Sequence, residues 1–489
     1  MQPLYRLAEA IGITPDALPA RELPITSIAY NSRNATEGSL FVCLVGAVTD
    51  GHRYAGDAYL RGCRVFVAQR KLDLPEDALV LYTENSRTAL AELSAAFFDH
   101  PERELTIVGV TGTKGKSTVC EMLRHILCAE GIAAASIGTV GVRIGDELLP
   151  TVNTTPESYE LFRIFADMRE RGVTHVAMEV SSQGVKLDRI HGIRFHTAIM
   201  TNLSPDHIGE AEHPTFEDYK ACKEELFRRT ELAILNADDP YADEFRAVTP
   251  VPTVLYGLGS DADLSAHALT QMETEHGFGI RFSIRGSETQ VTLPFPGEFS
   301  VKNALAAIAA AGLLGICERD AARALSSCAV KGRLELVPTP IPNVTFVIDY
   351  AHNGESLTAA LKALRAYEPT RLICLFGSVG GRTEIRRREL GMAAAEYADL
   401  SILTSDNPDR EDPAQILSDI ERYMGDAPRV VIPDRKEAIE YAVSIAEPHD
   451  IVLFAGKGHE NYQLVSGKKL PFCEREIILA AAEALRIRP

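Results

Sequence analysis

Residues 111–118 read TGTKGKST, a short stretch of glycine, lysine and hydroxyl residues. Glycines let a backbone wrap closely around a phosphate chain, a lysine neutralises its outer phosphates, and a hydroxyl group can bind Mg²⁺. Gly112 and Gly115 would serve the first purpose, Lys116 the second and Ser117 the third. The spacing GxxGKS is two residues shorter than the common GxxxxGK[ST] loop. We interpret the stretch as a phosphate-binding loop; the alternative is an incidental polar turn.

The sequence on either side of the loop indicates where it lies. The apolar run LTIVGV precedes it and is typical of a buried strand. The apolar residues after it recur at helical spacing: Val119, Met122, Leu123, Ile126 and Leu127. The loop therefore opens a helix, at the end where backbone N–H groups and the helix dipole favour an anion.

Polar side chains also follow the strand-like runs HVAMEV and HTAIMTNL. Because ligands of open α/β sheets gather at the carboxyl ends of strands, these residues would lie near the phosphates. Glu179 and His207 are candidate ligands of a metal ion there. Taken singly, each is more often a helix cap or a surface polar group, but two in succession after a phosphate loop favour a metal site.

The alternation of strand-like and helical patterns predicts an α/β fold in three blocks, residues 1–100, 101–332 and 333–489. The first block holds short strand-like runs and ends at the polar stretch DHPERE. The second predicts βαβ units in a parallel sheet, with a small antiparallel insertion around residues 265–295. The third is similar to a second, smaller doubly wound domain.

The bulk composition limits the possible partners. The chain has 489 residues and a formal net charge of −18, which argues against binding to nucleic acid or an anionic membrane. Its nine cysteines include no CxxC pair, so we expect free thiols in a reducing cytoplasm. The N-terminus has no signal-peptide pattern, and ALAAIAAAGLLGIC is too short to span a bilayer and predicts a buried helix.

A series of motifs resembles the Mur ligase family over essentially the whole chain: TGTKGKST, NTTPES, MEVSSQG, TNLSPDH, GEFSVKNALAA, KGRLE, IDYAHN, SDNPD and AGKGHENYQ. The N-terminal NSRNATEGSLFVCLVGAVTDGHRY and the C-terminal AGKGHENYQ favour the MurE type. That type joins an amino acid to UDP-N-acetylmuramoyl-L-alanyl-D-glutamate in peptidoglycan precursor synthesis.

The resemblance implies an N-terminal UDP-substrate-binding domain, a central P-loop ATPase-like domain and a C-terminal Rossmann-like domain for the amino acid. It implies an ATP-dependent acid–amino-acid ligase, which we expect to be a cytoplasmic monomer. ATP would phosphorylate the γ-carboxylate of D-glutamate, and the amine of the incoming amino acid would attack the acyl phosphate. Such phosphoryl transfer requires charge neutralisation and alignment more than covalent help.

The resemblance implies the following ligand contacts, which are assigned from the matching motifs. ATP would contact Thr111, Gly112, Thr113, Lys114, Gly115, Lys116, Ser117, Thr118, Asn303, Arg333, Asp349 and His352. The UDP-muramoyl dipeptide would contact Asn31, Ser32, Arg33, Asn153, Thr154, Thr155, Ser182 and Arg189. The amino acid would contact Arg387, Asp406, Asn407, Asp409, Gly456 and Glu460.

The resemblance also implies catalytic roles for Lys116, Glu179, His207 and Lys223. Two Mg²⁺ ions would be held by Ser117, Glu179, His207 and Lys223, the last as a carbamylated lysine. Carbamylation turns a cationic lysine into an anionic metal ligand. Lys220 is a near competitor for this role, and an ordinary exposed helix lysine is the alternative.

The chain departs from the family pattern in three places. Gln183 replaces the histidine of SSHG, and IGEAEHPTFEDY replaces a DYHG-like stretch. The third departure is Asp409, in DNPD, where diaminopimelate-adding members carry arginine. A carboxylate there would repel the distal carboxylate of diaminopimelate and attract the ammonium of lysine, so the sequence predicts L-lysine as substrate. Arg410 could take over the vacated place.

Several alternatives stay open at this stage. The same reaction with meso-2,6-diaminopimelate is one of them. A folylpolyglutamate-synthetase-like ligase would lack the N-terminal uridine domain, and a ligase adding D-Ala-D-Ala fits DNPD less well. A nucleotide-dependent regulator without catalysis is a further alternative. Arg387 is one of three consecutive arginines, which could also form a solvated helix face.

Overall fold

The computed structural model describes residues 1–18, 20–46, 49–209, 212–274, 277–381 and 383–486. The chain divides into two compact units: Met1–Asp263 with Ala309–Leu314, and Leu264–Ile308 with Gly315–Pro489. Both units are built from sheets covered by helices, and each has its own buried apolar clusters.

In the part of the chain that the structure describes, the elements up to residue 263 include fourteen strands and eight α-helices. The strands are β1 (Gln2–Pro3), β2 (Pro24–Ile25), β3 (Ser27–Ala29), β4 (Ser39–Val42), β5 (Val65–Ala68), β6 (Leu79–Tyr82), β7 (Thr106–Thr111), β8 (Ala134–Gly138), β9 (Gly141–Ile144), β10 (Glu147–Leu149), β11 (His175–Glu179), β12 (Phe195–Met200), β13 (Thr230–Asn236) and β14 (Thr253–Gly257). The helices are α1 (Leu4–Ala10), α2 (Ala55–Leu60), α3 (Ser86–Phe97), α4 (Lys116–Ala129), α5 (Ser158–Glu170), α6 (Ser182–Lys186), α7 (Phe216–Glu224) and α8 (Ala242–Val248).

From residue 264 onward the strands are β15 (Leu264–Thr274), β16 (Gly277–Ile284), β17 (Gln290–Leu293), β18 (Glu335–Leu336), β19 (Thr345–Asp349), β20 (Leu372–Phe376), β21 (Leu400–Leu403), β22 (Arg429–Val431), β23 (Ile451–Ala455), β24 (Tyr462–Val465) and β25 (Lys468–Pro471). The helices are α9 (Glu298–Leu313), α10 (Glu318–Leu325), α11 (Gly354–Arg365), α12 (Glu384–Tyr397), α13 (Pro413–Glu421), α14 (Arg435–Ser444) and α15 (Glu474–Arg486).

The first unit contains two main sheets. Strands β3, β4, β5 and β6 form a parallel four-stranded sheet near the N-terminus. The second sheet runs β10-β9-β8-β11-β7-β12-β13-β14, and its strands from β8 through β14 in this order are parallel. Strand β7 lies between β11 and β12, so the segments that follow these three strands meet at one edge of the sheet.

Helix α4 packs as its periodicity predicts. The five residues of the predicted apolar face are all buried: Val119, Met122, Leu123, Ile126 and Leu127. The helix follows the loop after β7, so its N-terminus lies at the carboxyl edge of the sheet. Packing of this face fixes the direction in which the N-terminal turn points.

The second unit holds a six-stranded sheet in the order β18-β19-β23-β20-β21-β22, in which only β18 pairs antiparallel among the described ladders. The strands β15, β16 and β17 form an antiparallel meander, as predicted for residues 265–295. Residues Ala304–Ala311 of α9 are buried, which agrees with the predicted buried helix. Among the described residues, none of the helices combines the length and apolar character needed to cross a membrane.

The predicted α/β class is confirmed, with an N-terminal sheet, a central parallel sheet and a C-terminal doubly wound sheet. The boundaries at residues 100 and 332 stay predictions.

Candidate active site

Gly112 is the first residue after β7, and its backbone conformation suits only glycine. Gly112 has φ +141°, and a Cβ added there would lie 2.0 Å from Thr201 Oγ1 and 2.9 Å from the Asn202 carbonyl oxygen. Gly115, with φ +85°, is the N-cap residue of α4. The N–H groups of the first turn of α4 point out of the helix toward the loop, which is the arrangement that binds an anion.

Two lysines converge on one carbonyl oxygen of this loop. Lys116 Nζ donates to the oxygen of Gly112 at 2.8 Å, and Lys223 Nζ donates to the same oxygen at 2.9 Å. The side chain of Lys223, on α7, is buried. Burial, together with the neighbouring charge of Lys116, holds the pKa of Lys223 well below its ordinary value. The neutral amine of Lys223 is therefore more accessible than that of an ordinary lysine.

Lys220, one helical turn earlier on α7, has the opposite environment. Its ammonium pairs with the carboxylate of Glu244, and this hydrogen bond raises the pKa of Lys220. A lysine held in its protonated form is not a nucleophile. The structure thus separates the two lysines that the sequence left as competitors.

The segment after β12 holds the phosphate loop in place. The Asn202 carbonyl oxygen accepts from the Thr113 N–H at 2.8 Å, and Asn202 Oδ1 accepts from the Lys114 N–H at 2.8 Å. Lys114 Nζ also pairs with Asp206 at 3.0 Å. These contacts join the carboxyl ends of the neighbouring strands β7 and β12.

Glu179, at the end of β11, is buried beside the loop. Its Oε1 accepts from the Thr139 N–H at 2.8 Å, and its Oε2 accepts from the Thr139 hydroxyl at 3.2 Å. Glu179 and Ser117 line the same cavity, together with Glu121 and Ser136. Carboxylate and hydroxyl oxygens are the donors that Mg²⁺ prefers, so the residues present fit a magnesium ion.

His207 is half exposed and lies in a left-handed backbone conformation with φ +58°. Its Nδ1 lies 3.0 Å from Glu212 Oε2. The His207 ring stacks on Tyr219 at 6.3 Å, and Lys223 Nζ lies 4.5 Å from the centre of the same Tyr219 ring. Tyr219 thereby connects His207 to the phosphate loop, while the role of His207 as a metal ligand stays a prediction.

His213 is a residue that the sequence patterns did not single out. It is fully buried, with Nδ1 2.7 Å from Asp218 Oδ2 and Nε2 2.9 Å from Ser182 Oγ. It therefore joins α7, which carries Lys223, to α6, which begins at Ser182. No local pattern reveals this, because Ser182 is 31 positions away.

The predicted muramoyl-peptide residues lie close to β11. The Thr155 hydroxyl donates to the Glu179 carbonyl oxygen at 2.9 Å, and Arg189 Nη1 donates to the Thr155 carbonyl oxygen at 3.0 Å. Arg189 also pairs with Glu157. Thr154 Oγ1 lies 3.0 Å from the Thr139 hydroxyl, and Asn153 precedes it in the same half-buried loop.

The predicted uridine residues form a short helical turn after β3. Asn31 caps the turn by accepting from the Arg33 N–H at 3.1 Å, and Ser32 lies between them. Next to this turn, the Tyr30 hydroxyl donates to Glu160 at 2.7 Å. The turn is thereby tied to α5 of the central sheet, while the role of its residues as uridine contacts stays a prediction.

In the second unit, Asp349 ends β19 and is buried. Its carboxylate accepts from the N–H groups of Leu334 and Ala351 at 2.7 and 2.8 Å, and burial raises its pKa. Arg333 lies over the Tyr350 ring at 4.8 Å, and His352 Nδ1 lies 2.8 Å from the Tyr350 carbonyl oxygen. Asn303 is buried on α9. The structure gathers three of these predicted nucleotide contacts around the end of β19: Arg333, Asp349 and His352.

The predicted amino-acid residues follow β21 and β23. Lys457 is buried, and its Nζ donates to Asn407 Oδ1 at 2.8 Å and to Glu460 Oε2 at 2.6 Å. Asn407 also donates to Glu460 at 2.9 Å. Asp406 is buried with Lys457 Nζ 3.9 Å away, and burial raises the pKa of its carboxyl group. A Cβ at Gly456 would lie 2.6 Å from Asp406 Oδ2.

Two further predicted residues have partners within the protein. Asp409, with φ +51°, accepts from the Gly467 N–H at 2.7 Å, so its carboxylate holds the turn of the β24–β25 hairpin. The Arg387 guanidinium is nearly buried and pairs with Glu411 and Asp419, both at 2.7 Å. Its predicted contact with the amino acid's α-carboxylate would have to compete with these two carboxylates.

A parallel α/β sheet, a phosphate loop at a helix N-terminus and carboxylates at the same edge define a nucleotide-binding enzyme. Three family models cover most of the chain: "Mur ligase family, catalytic domain" at residues 24–98, "Mur ligase middle domain" at 110–311 and "Mur ligase, glutamate ligase domain" at 332–458. The chain belongs to the Mur ligase family, and it is an ATP-dependent ligase of the MurE type.

Two similar relatives are named UDP-N-acetylmuramoyl-L-alanyl-D-glutamate--2,6-diaminopimelate ligase. The protein of Caldanaerobacter subterraneus subsp. tengcongensis is 38% identical over 93% of this chain and 94% of its own. That of Clostridium perfringens is 35% identical over 94% and 95%. A solved structure of a ligase with this name superposes with a TM-score of 0.69 at 28% identity, over 98% of this chain and 99% of that one.

A solved folylpolyglutamate synthase of Mycobacterium tuberculosis shares the fold, with a TM-score of 0.63 at 15% identity over 82% of this chain and 95% of that one. The expectation of L-lysine as the added amino acid is not confirmed, because the curated relatives are named for 2,6-diaminopimelate.

We predict that Gly112→Ala abolishes ATP use, because the new Cβ would collide with Thr201 Oγ1 at 2.0 Å and distort the loop. The measurement is ADP formation together with binding of a fluorescent ATP analogue. The control is Gly131→Ala, where φ is also positive but nothing lies within 4 Å of the added Cβ. Unchanged ATP affinity in Gly112→Ala would contradict the assignment of the loop.

Proposed function

We propose that the protein joins 2,6-diaminopimelate to the D-glutamate γ-carboxylate of UDP-N-acetylmuramoyl-L-alanyl-D-glutamate. ATP phosphorylates the carboxylate to an acyl phosphate, the amine attacks its carbonyl carbon, and phosphate leaves. The observation that carries the proposal is the pair of lysines, Lys116 and Lys223, on the carbonyl oxygen of Gly112 at the mouth of a helix N-terminus. Lys116 and the N–H groups of the α4 N-terminus would stabilise the negative charge of a transferring phosphoryl group, and Lys223 lies beside them.

We further propose that Lys223 is carbamylated and that two Mg²⁺ ions bind beside it. A neutral amine attacks the carbon of CO₂, a C–N bond forms, and one proton is released to leave a carbamate anion. The lowered pKa of buried Lys223 supports this step, since only the neutral amine reacts. Ser117, Glu179, His207 and the carbamate would hold the ions. When bound, magnesium supplies charge neutralisation for the phosphates.

The residues around Thr155 and Ser182 suit the muramoyl peptide. Ser182 is fixed by His213, and Arg189 is fixed by Glu157 and the Thr155 carbonyl oxygen. Side chains held this firmly lose little entropy when a substrate binds. We assign the dipeptide to this edge of the sheet, and the uridine diphosphate to the turn of Asn31, Ser32 and Arg33.

The choice of diaminopimelate rests on the relatives' names and on the contacts of Asp409. The Asp409 carboxylate accepts a hydrogen bond from the Gly467 N–H. It therefore stabilises the turn between β24 and β25. The exposed Arg410 follows it, and Arg410 Nη2 would lie 3.9 Å from a Cβ at Gly467. A guanidinium near this turn suits the distal carboxylate of diaminopimelate.

L-lysine is the second candidate, and one observation favours it. Position 409 carries a carboxylate, and one of its oxygens is still available to attract an ammonium group after the bond to Gly467 is made. Both candidates require the same phosphoryl-transfer site, so they differ only in the amino-acid subsite.

The direct test measures amino-acid-dependent ADP release with ATP, Mg²⁺ and UDP-N-acetylmuramoyl-L-alanyl-D-glutamate. We expect turnover with 2,6-diaminopimelate and much weaker turnover with L-lysine. Preference for L-lysine would transfer the proposal to the second candidate. No ADP with either amino acid would refute the proposed function.

Asp409→Asn separates charge from hydrogen bonding at this position. The amide oxygen can still accept the Gly467 N–H, but the negative charge is lost. We expect the preference between the two amino acids to stay within about twofold, because the side chain acts through the turn. A selective loss of L-lysine turnover in Asp409→Asn, with Asp412→Asn as the control, would contradict this.

Removal of CO₂ should lower activity, and bicarbonate should restore it. Lys223→Arg should lose both the activity and the added mass of the carbamate, because a guanidinium is not carbamylated. Lys220→Arg is the matched control, since Lys220 pairs with Glu244 in its charged form. Mass spectrometry of the intact protein under CO₂ reports the modification. A carbamate that persists in Lys223→Arg and disappears in Lys220→Arg would reverse the assignment.

A further inference from the structure

A buried ion pair lies behind the amino-acid residues of the second unit. The Arg435 guanidinium and the Glu474 carboxylate are both almost completely buried, and Arg435 Nη2 lies 2.7 Å from Glu474 Oε1. Arg435 Nε also donates to the same oxygen at 2.8 Å. Neither residue belongs to the motifs that indicated the function.

The other contacts of Arg435 reach two strand ends. Its Nη1 donates to the Ser405 carbonyl oxygen at 3.2 Å, and its Nη2 donates to the Ala455 carbonyl oxygen at 2.7 Å. Ser405 immediately precedes Asp406, and Ala455 immediately precedes Gly456. One guanidinium therefore hydrogen-bonds to the backbone at the start of both segments that we assign to the amino acid.

The sheet itself does not join these two segments. Strand β20 lies between β21 and β23, so no ladder of backbone hydrogen bonds runs directly from one to the other. At the ends of β21 and β23, the planar guanidinium of Arg435 donates to both backbones and so links them across β20. Further along the two segments, Gln463 Nε2 donates to the Asp406 carbonyl oxygen, and Asn407 and Glu460 contact each other and Lys457. At the strand ends themselves, Arg435 supplies the link between Ser405 and Ala455.

The location of the pair argues against a role in stability alone. Burying two charges costs desolvation energy that their attraction often fails to recover. Arg435 also begins helix α14, where the helix dipole disfavours a cation. Among the described residues, Glu474 Oε2 has no hydrogen-bond partner. An apolar pair of similar volume would avoid this desolvation cost, but it would leave the Ser405 and Ala455 carbonyl oxygens without the donors that Arg435 supplies.

We propose that Arg435 and Glu474 are positioning residues that set the spacing of the amino-acid subsite. This inference rests on the proposed function for the identity of the ligand, but not for the geometry. The pair acts through Ser405 and Ala455 and does not contact the amino acid.

The test compares the wild type with the double variant Arg435→Met/Glu474→Leu, which replaces the ion pair by apolar side chains. We expect the melting temperature to fall, because the Ser405 and Ala455 carbonyl oxygens lose a donor. The discriminating result is that KM for the amino acid rises at least about tenfold while KM for ATP changes by less than about twofold. Arg435→Lys is the second variant, because it keeps the charge that balances Glu474 but loses the planar fork. It should show the same selective rise in KM.

The matched control is an ion pair at the opposite edge of the same sheet. Arg371 and Asp450 precede β20 and β23, and Arg371 Nη2 lies 2.5 Å from Asp450 Oδ2. Arg371→Met/Asp450→Asn should lower the melting temperature without a selective change in KM for the amino acid.

Amide hydrogen exchange provides a readout that does not depend on turnover. Exchange at residues 406–409 and 456–460 should accelerate in both Arg435 variants and stay unchanged in the control. If exchange and the ratio of KM values stay at wild-type levels, or if KM for the amino acid and KM for ATP rise by the same factor in Arg435→Lys, the inference is overturned. If the wild type forms no ADP with any amino acid, the proposed function fails, and the exchange result still decides the positioning role.

Discussion

The carbonyl oxygen of Gly112 accepts hydrogen bonds from two lysine side chains, and the chemistry proposed for this site depends on that arrangement. Two ammonium groups that hydrogen-bond the same oxygen repel each other, and the repulsion is stronger in a buried site than in water. The site therefore disfavours two protonated lysines when no anion is present. The lowered pKa of Lys223 is the consequence of this repulsion added to burial.

The same electrostatics favours either of two changes. A phosphate chain bound at the α4 N-terminus brings negative charge to both lysines, and a carbamate on Lys223 converts one of them into an anion. The second change would add an anionic oxygen ligand to the site, so it suits a site that also receives divalent cations. Carbamylation of Lys223, binding of magnesium and binding of the nucleotide would thus each change the charge around the Gly112 carbonyl group, so each would affect the others.

The sequence predicted the parts of this site that are local. The phosphate loop follows from glycine and lysine spacing between a strand and a helix, and Glu179 follows from its position at a strand end. His213 and Arg435 could not be predicted, because their partners are 31 and up to 39 positions away and lie on other elements. The charge argument at Asp409 stays unconfirmed, and it was incomplete for a similar reason: a residue type does not reveal that the N–H of Gly467, 58 positions later, donates to its carboxylate.

In the second unit, the group whose charge is poorly balanced is an acid, Asp406, and not a lysine. Both of its carboxylate oxygens are buried, and within the described part of the chain neither accepts a hydrogen bond. A buried polar group without a partner costs about 1–3 kcal/mol. Lys457 and Arg435 offset part of this cost through their charges, but each makes its own hydrogen bonds elsewhere. A ligand with an ammonium group would satisfy these oxygens, so the same cost would favour binding of the proposed amino acid.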